Sequence, residues 1–203
     1  RAVPPHDIFP TMPNYRRIRR QGGTYFLTLV TQHRAPIFQA ESARALLRQA
    51  IERCQRLYPF TLDAIVLLPE HLHLLMTLPA GDANYPLRLS LIKSGFTRAY
   101  LAAGGTEQVR SQSRRRQRMR GVWLKRYWEH TIRDREDLTH HYHYICYNPV
   151  KHKLAGCPHA WPYSSFCRLV AEGCYRKDWC CQCEGEAPEE PPAFRAIARL
   201  AGE

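Results

Sequence analysis

FTLDAIVLLPEHLHLLMTL, residues 60–78, holds two runs of apolar and β-branched residues divided by Pro69-Glu70, which predicts two adjacent strands joined by a tight turn. In a strand, residues two apart share a face. The second run, 71–78, therefore sets His71 and His73 side by side and sends Leu72 and Leu74 to the opposite face and the core. On a helix the same two histidines would diverge. Upstream, TYFLTLVTQ (24–32) follows a Gly-Gly turn signal and reads as an earlier strand. Between the two, Leu46, Leu47, Ala50, Ile51, Cys54 and Leu57 recur at helical spacing, predicting an amphipathic helix over 41–58 that Pro59 ends.

Downstream, Pro86 opens a second helix to about residue 101, with Leu87, Leu91, Phe96 and Leu101 as its apolar side. Gly104-Gly105 and an Arg/Gln/Ser segment up to residue 120 read as a break, with Arg114, Arg115 and Arg116 in a solvated loop. VWLKRYWEHTI (122–132) reads as a strand. Asp134 is a good N-cap for a third helix, which Pro149 is expected to stop after Asn148. Strand–helix–strand–strand–helix–strand is the order of the ferredoxin-like α+β fold, an antiparallel sheet, here with a third helix appended at its C-terminal end.

The chain has 203 residues, of which 44% are apolar, enough for one domain with its own core. We expect residues 1–11, with three prolines, to be a disordered lead-in, 12–179 to be the working domain, and 180–203 to be a flexible tail containing the acidic, Pro-rich EGEAPEEPP. Thirty Lys and Arg against eighteen Asp and Glu give a formal charge of +12. Much of that excess sits in two places: Arg16, Arg17, Arg19 and Arg20, and eight basic residues with no acid between Arg110 and Arg126. Such clusters point to a polyanion, nucleic acid ahead of membrane, because no run approaches the ~18 apolar residues of a spanning helix. No secretory leader is read at the start, so the eight cysteines are expected as reduced thiols in a cytosol. Only Cys180 and Cys183 have the spacing of a zinc-binding pair, and the Cys-rich end is read as scattered thiols.

Two imidazoles on one rigid strand make half of a divalent-metal site. A second feature is HHYHYICYN, residues 140–148, in which Tyr144 and Asn148 are four apart and so share a helix face that His140 continues. A phenol beside an amide suits a metal-bound phosphate better than a core, since both groups demand hydrogen bonds when buried. The two features together describe one chemistry. A cation held by His71, His73 and Asn148 polarises a scissile phosphate, and the Tyr144 hydroxyl attacks it to leave a covalent phosphotyrosine. A phenol of pKa ~10 needs help to react at neutral pH; His140, His141 and His143 are all candidates. The competing readings are two structural histidines, a solvated Tyr144, and an Asn148 that only caps its helix.

These residues also resemble a known family. MPNYRR, GGTYFLTLVTQ, VLLPEHLHLLMTLP, IKSGFTR, RYWEHTIRD and HHYHYICYNPVKH with WPYSSF occur in the order found in the REP-associated tyrosine transposases, which are HUH endonucleases related to the single-tyrosine insertion-sequence transposases. The resemblance covers roughly residues 12–179. It implies the HUH fold with its catalytic helix, His71, His73 and Asn148 as ligands to Mg²⁺ or Mn²⁺, and Tyr144 as nucleophile. It further implies a substrate of single-stranded DNA folded as a REP-type (BIME-like) hairpin with a short adjacent tag, and a monomer acting at the nucleoid in the bacterial cytoplasm. Tyr15, Arg16 and Arg17 are then expected at the tag, with Arg19 and Arg20 of the same basic cluster on phosphates. Lys93, Arg98, Lys125 and Arg126 are expected on phosphates, with Trp123, Tyr127 and Trp128 as stacking faces for unpaired bases. The alternative is a hairpin-binding protein without turnover. A two-histidine phosphoesterase ranks last, because it needs two His-x-Ser/Thr motifs and this chain has no second copy.

Overall fold

A computed structural model describes residues 19–182 and 189–201. Tyr15, Arg16 and Arg17 lie outside the described residues. Gly22, at φ 64°, makes the turn before strand β1 (Thr24–Val30), a left-handed conformation that glycine adopts without strain. There follow helix α1 (Glu41–Leu57), strands β2 (Thr61–Leu67) and β3 (His71–Thr77), helix α2 (Tyr85–Ala102), the short helix α3 (Gln112–Arg116) and strand β4 (Trp128–Thr131). Helices α4 (Arg135–Lys151), α5 (Phe166–Ala171) and α6 (Phe194–Ala201) complete the chain.

The sheet order is β2-β3-β1-β4 and every pairing is antiparallel, as the ferredoxin-like reading requires. Both faces of the sheet are covered. Tyr25, Leu27, Leu29, Leu72, Leu74 and Met76 enter a core shared with Leu47 and Ile51 of α1 and with Leu89, Ile92 and Phe96 of α2. Phe26, Ala64, Val66 and Leu75 meet Tyr144, Ile145 and Tyr147 of α4 on the other face. The alternation of β3 thus does what its sequence predicts: leucines go to the α1/α2 side, and the register that pairs Thr28 with His73 and Val30 with His71 leaves the imidazoles on the α4 side.

A buried charge joins the two helices of the first face. Arg88, 1% exposed, donates to Asp82 Oδ2 at 2.7 Å and to the carbonyls of Tyr58, Pro59 and Asn84, so its guanidinium is compensated as such groups must be.

The structure corrects the sequence reading in four places. Helix α4 does not stop at Pro149. Proline removes one N–H, but the turn continues through His152 N–H to Asn148 O and Leu154 N–H to Pro149 O, so the helix runs nearly one more turn to Lys151. Strand β4 is short, because Val122 and Trp123 turn into the core before pairing resumes at Trp128. Where a flexible tail is expected from residue 180, residues 194–201 form α6, whose Phe194, Ile197 and Ala201 are buried against α4. Cys157 and Cys181, expected as thiols, are joined in a disulfide. No helix among the described residues is long and apolar enough to cross a membrane.

Candidate active site and nucleic-acid surface

His71 and His73 are 1% and 0% exposed, their rings 4.9 Å apart. Each is oriented through Nδ1. His71 Nδ1 lies 2.9 Å from Glu70 Oε1, and that hydrogen bond, ahead of the opposing effect of burial, holds the Glu70 carboxyl below the usual carboxylate range. An ionised Glu70 accepts, so His71 carries its proton on Nδ1 and presents Nε2 as the basic atom. His73 Nδ1 lies 2.9 Å from Thr28 Oγ1, its cross-strand neighbour. Outer partners of this kind fix tautomer and ring orientation in metal-binding histidines.

Helix α4 crosses over this pair. The Tyr144 ring stands edge-on to His73, with centroids 5.1 Å apart. His152, which caps the helix end, stands at 5.4 Å from the His71 ring. Asn148 is one turn from each, so the spacing of 144, 148 and 152 lays the buried amide between two residues that already touch the imidazole pair. Two imidazole nitrogens and an amide oxygen are a nitrogen–oxygen donor set, the chemistry that suits a divalent cation of the Mg²⁺ or Mn²⁺ class.

Tyr144 itself is 0% exposed. Phe26 lies beneath it, and Phe194 of α6 stacks over it at 4.7 Å between centroids. Of the three histidines near it in sequence, His143 turns away to Tyr175 and Trp179. His141 packs on the same Phe26, at 4.8 Å, and belongs to the clamp that starts the helix. His141 Nδ1 donates to Asp137 O at 2.7 Å, while Asp137 Oδ2 accepts from His130 Nε2 of β4 at 2.7 Å and from Arg133. Burial pulls His141 down to about 4, which keeps it neutral. Burial pushes Asp137 up, but the His130 and Arg133 hydrogen bonds outweigh it and hold the carboxyl at about 2.

The basic segment is more ordered than a solvated loop. Ser111 caps α3, Arg114 donates to the carbonyls of Arg120 and Trp123, and Glu107 binds Arg120 at 2.8 Å. Folded back in this way, the segment faces α2 across a cleft of about 560 Å³ lined by Lys93, Arg98, Arg118, Arg120, Lys125 and Tyr127, among others. Arg126 is exposed beside it, and Arg19 and Arg20 are exposed before β1. Two aromatic residues sit elsewhere than expected. Trp123 is buried against Phe38 and Phe96 and offers no stacking face. Trp128 packs edge-on to Phe26 and over His130, on the α4 side of the sheet.

No family model matches. A Haemophilus influenzae protein whose name contains "REP-associated tyrosine transposase" is 42% identical over 170 residues, 83% of this chain and 93% of its own. The chain belongs to the REP-associated tyrosine transposases. The Escherichia coli K12 REP-associated tyrosine transposase is 38% identical over 168 residues, covering 83% of this chain and 91% of its own. A solved structure described as a REP-associated tyrosine transposase bound to a REP hairpin superposes with a TM-score of 0.70 at 36% identity, over 88% of this chain and 94% of that one. Membership makes this chain an enzyme of the transposase and endonuclease class and agrees with the α+β reading of its sheet.

In this member of the family, Glu70, Thr28, His152 and Phe194 are the residues that sequence reasoning missed. Glu70 and His152 carried a signal, one adjacent to His71 and the other two helical turns beyond Tyr144. Thr28 and Phe194 reach the site only through strand register and tail docking.

Proposed function

We propose that this protein cleaves and rejoins single-stranded DNA hairpins of the REP type through a covalent link to Tyr144. The observation that carries this reading is the contact of the Tyr144 ring with His73, on the helix that also brings His152 to His71 and carries the buried Asn148 between the two. His71, His73 and Asn148 would hold Mg²⁺ or Mn²⁺, which supplies Lewis-acid polarisation of the scissile phosphate when bound. Glu70 and Thr28 keep the two rings in place. The Tyr144 oxygen attacks phosphorus; a P–O bond forms to tyrosine and another breaks to the departing strand. The phenol proton is given up, and one proton returns to the departing oxygen, which becomes a free hydroxyl. The linkage keeps the energy of the phosphodiester, so a second strand hydroxyl can reverse the step and rejoin DNA.

DNA is positioned away from the reacting atoms. Lys93, Arg98 and Lys125 in the α2 cleft, with Arg126 beside it, take phosphates, and Tyr127 lines the same cleft. Trp128, half-buried next to Phe26, flanks the catalytic side instead. Tyr15, Arg16 and Arg17 are assigned to the tag beside the hairpin, and Arg19 and Arg20 to phosphates. The unit that acts is a monomer spanning residues 12–179 together with α6, working on DNA at the bacterial nucleoid.

Hairpin binding without turnover is a second reading, and one observation favours it: Tyr144 has no exposed surface while α6 is docked. Labelled hairpin DNA with Mn²⁺ separates the two. A protein–DNA adduct that survives denaturant and is lost in Tyr144→Phe supports the enzyme; binding with no adduct in any variant leaves the second reading.

A further inference from the structure

Away from the catalytic face, the loop after α4 and the chain that follows α5 meet at Cys157, His159 and Cys181. One ligand-type atom from each of the three lies within 4.8 Å of the others. The two strands of chain are also joined by Gln182 N–H donating to Gly156 O at 2.8 Å. The disulfide between Cys157 and Cys181 accounts for the sulfurs but not for the imidazole. His159 Nδ1 is buried and has no hydrogen-bond partner, a condition that costs stability when nothing compensates it. A buried nitrogen without a partner, on an imidazole whose ring reaches two sulfurs, is what a metal ion would satisfy.

The donor set selects the ion. Two thiolates and an imidazole are the ligands that zinc takes, at about 2.3 Å to sulfur and about 2.0–2.1 Å to nitrogen; around a tetrahedral ion such ligand atoms stand within about 4 Å of one another. The pair spacing of Cys180 and Cys183 plays no part in this cluster: Cys180 packs with the α4 core, and Cys183 lies outside the described residues. Among the described residues Cys54, Cys146, Cys167, Cys174 and Cys180 are thiols, five reduced cysteines beside one oxidised pair, a usage suited to a reducing compartment where the pair would open.

We propose that Cys157, His159 and Cys181 form a structural zinc site that clasps the chain after α5 onto the loop after α4 when the cysteine pair is reduced. The two electrons come from a dithiol reductant, which leaves as its own disulfide. The pair becomes two thiols, and zinc binding then releases their two protons; water completes the tetrahedron. The site is distinct from His71 and His73 and does not depend on the DNA chemistry proposed above.

The test uses the full chain, reduced with dithiothreitol, dialysed against zinc and counted by elemental analysis, with Co²⁺ substitution as the spectroscopic arm. The expected result is one zinc per chain at this site and a thiolate-to-cobalt charge-transfer band, which His71 and His73 cannot produce. Cys157→Ser and Cys181→Ser should abolish the band, His159→Ala should weaken zinc binding at least tenfold, and Cys174→Ser should keep both. Should the serine variants misfold, titrating the wild type with an organomercurial should release the zinc in step with loss of thiols. Reduced wild type that shows no charge-transfer band with Co²⁺, or zinc uptake matched by the Cys157→Ser/Cys181→Ser chain, overturns the proposal.

Discussion

Phe194→Ala should make Tyr144 more reactive. The phenol is covered on both sides, by Phe26 from the sheet and by Phe194 from α6, and no phosphate reaches it while α6 is docked. Phe194 is 1% exposed, stacks on Tyr144 at 4.7 Å and meets Tyr147 edge-on at 5.2 Å. Truncating a buried Phe to Ala costs about 3–5 kcal/mol in a core. Here the loss falls on docking of one terminal helix rather than on the whole fold. Ile197 and Ala201 still hold the helix, with Glu190 bridging Lys151 and Arg195. Taking about 3 kcal/mol as the weakening, and about 1.4 kcal/mol for each factor of ten, the population with α6 lifted rises by about two orders of magnitude. The assay is the initial rate of adduct formation on labelled hairpin DNA at saturating Mn²⁺, with hairpin affinity measured in parallel. We expect the rate to rise tenfold to a hundredfold at unchanged affinity. A folded Phe194→Ala protein with an unchanged or lower rate would refute the reasoning that α6 is a cover.

Three further predictions concern the metal ligands, the DNA cleft and the start of α4. Thr28→Val and Glu70→Gln should each raise the Mn²⁺ concentration needed for half-maximal adduct formation by about 10–100-fold, since outer partners of metal-binding histidines carry effects of that size; an unchanged Mn²⁺ titration would remove these residues from the site. Arg98→Ala with Lys125→Ala should lower the log–log salt slope of hairpin binding by about 0.7 for each phosphate left without its cation, while the adduct rate at saturating DNA stays put. Acid should weaken the fold over two successive pH windows. His141 is neutral in the fold with a pKa near 4, so the unfolded chain takes its proton first; the stability this gives is present above pH 6.5 and is lost as pH falls towards 4, about 3 kcal/mol in all. Asp137 adds a second loss below pH 3.8, towards 2. Urea melts of wild type and His141→Asn across pH 4–7 check this: the slope in that window should flatten in the variant.

What the sequence made readable was local. The alternation of HLHLLMT already separates the paired imidazoles from the core leucines, and Tyr144 and Asn148 share a stripe for the simple reason that a helix repeats every ~3.6 residues. The partners of those residues were hidden, because Thr28 meets His73 only through the register of β1 on β3. Pro149 misled, since its missing N–H falls where neighbouring carbonyls keep the last turn closed. The tail misled more. EGEAPEEPP reads as disorder, yet the eight residues FRAIARLA beyond it place Phe194, Ile197 and Ala201 on one face, and what Phe194 covers is the Tyr144 ring. Trp123 reads as a ring for bases until Phe38 and Phe96 enclose it.

The most direct measurement is to trap the protein on a labelled hairpin with Mn²⁺, digest both partners, and locate the attached nucleotide by mass spectrometry. A nucleotide phosphate carried by Tyr144, and absent from the His71→Ala/His73→Ala protein, is what the convergence of strand and helix predicts. Attachment at Tyr142 or Tyr147, or an adduct indifferent to loss of both histidines, would contradict it.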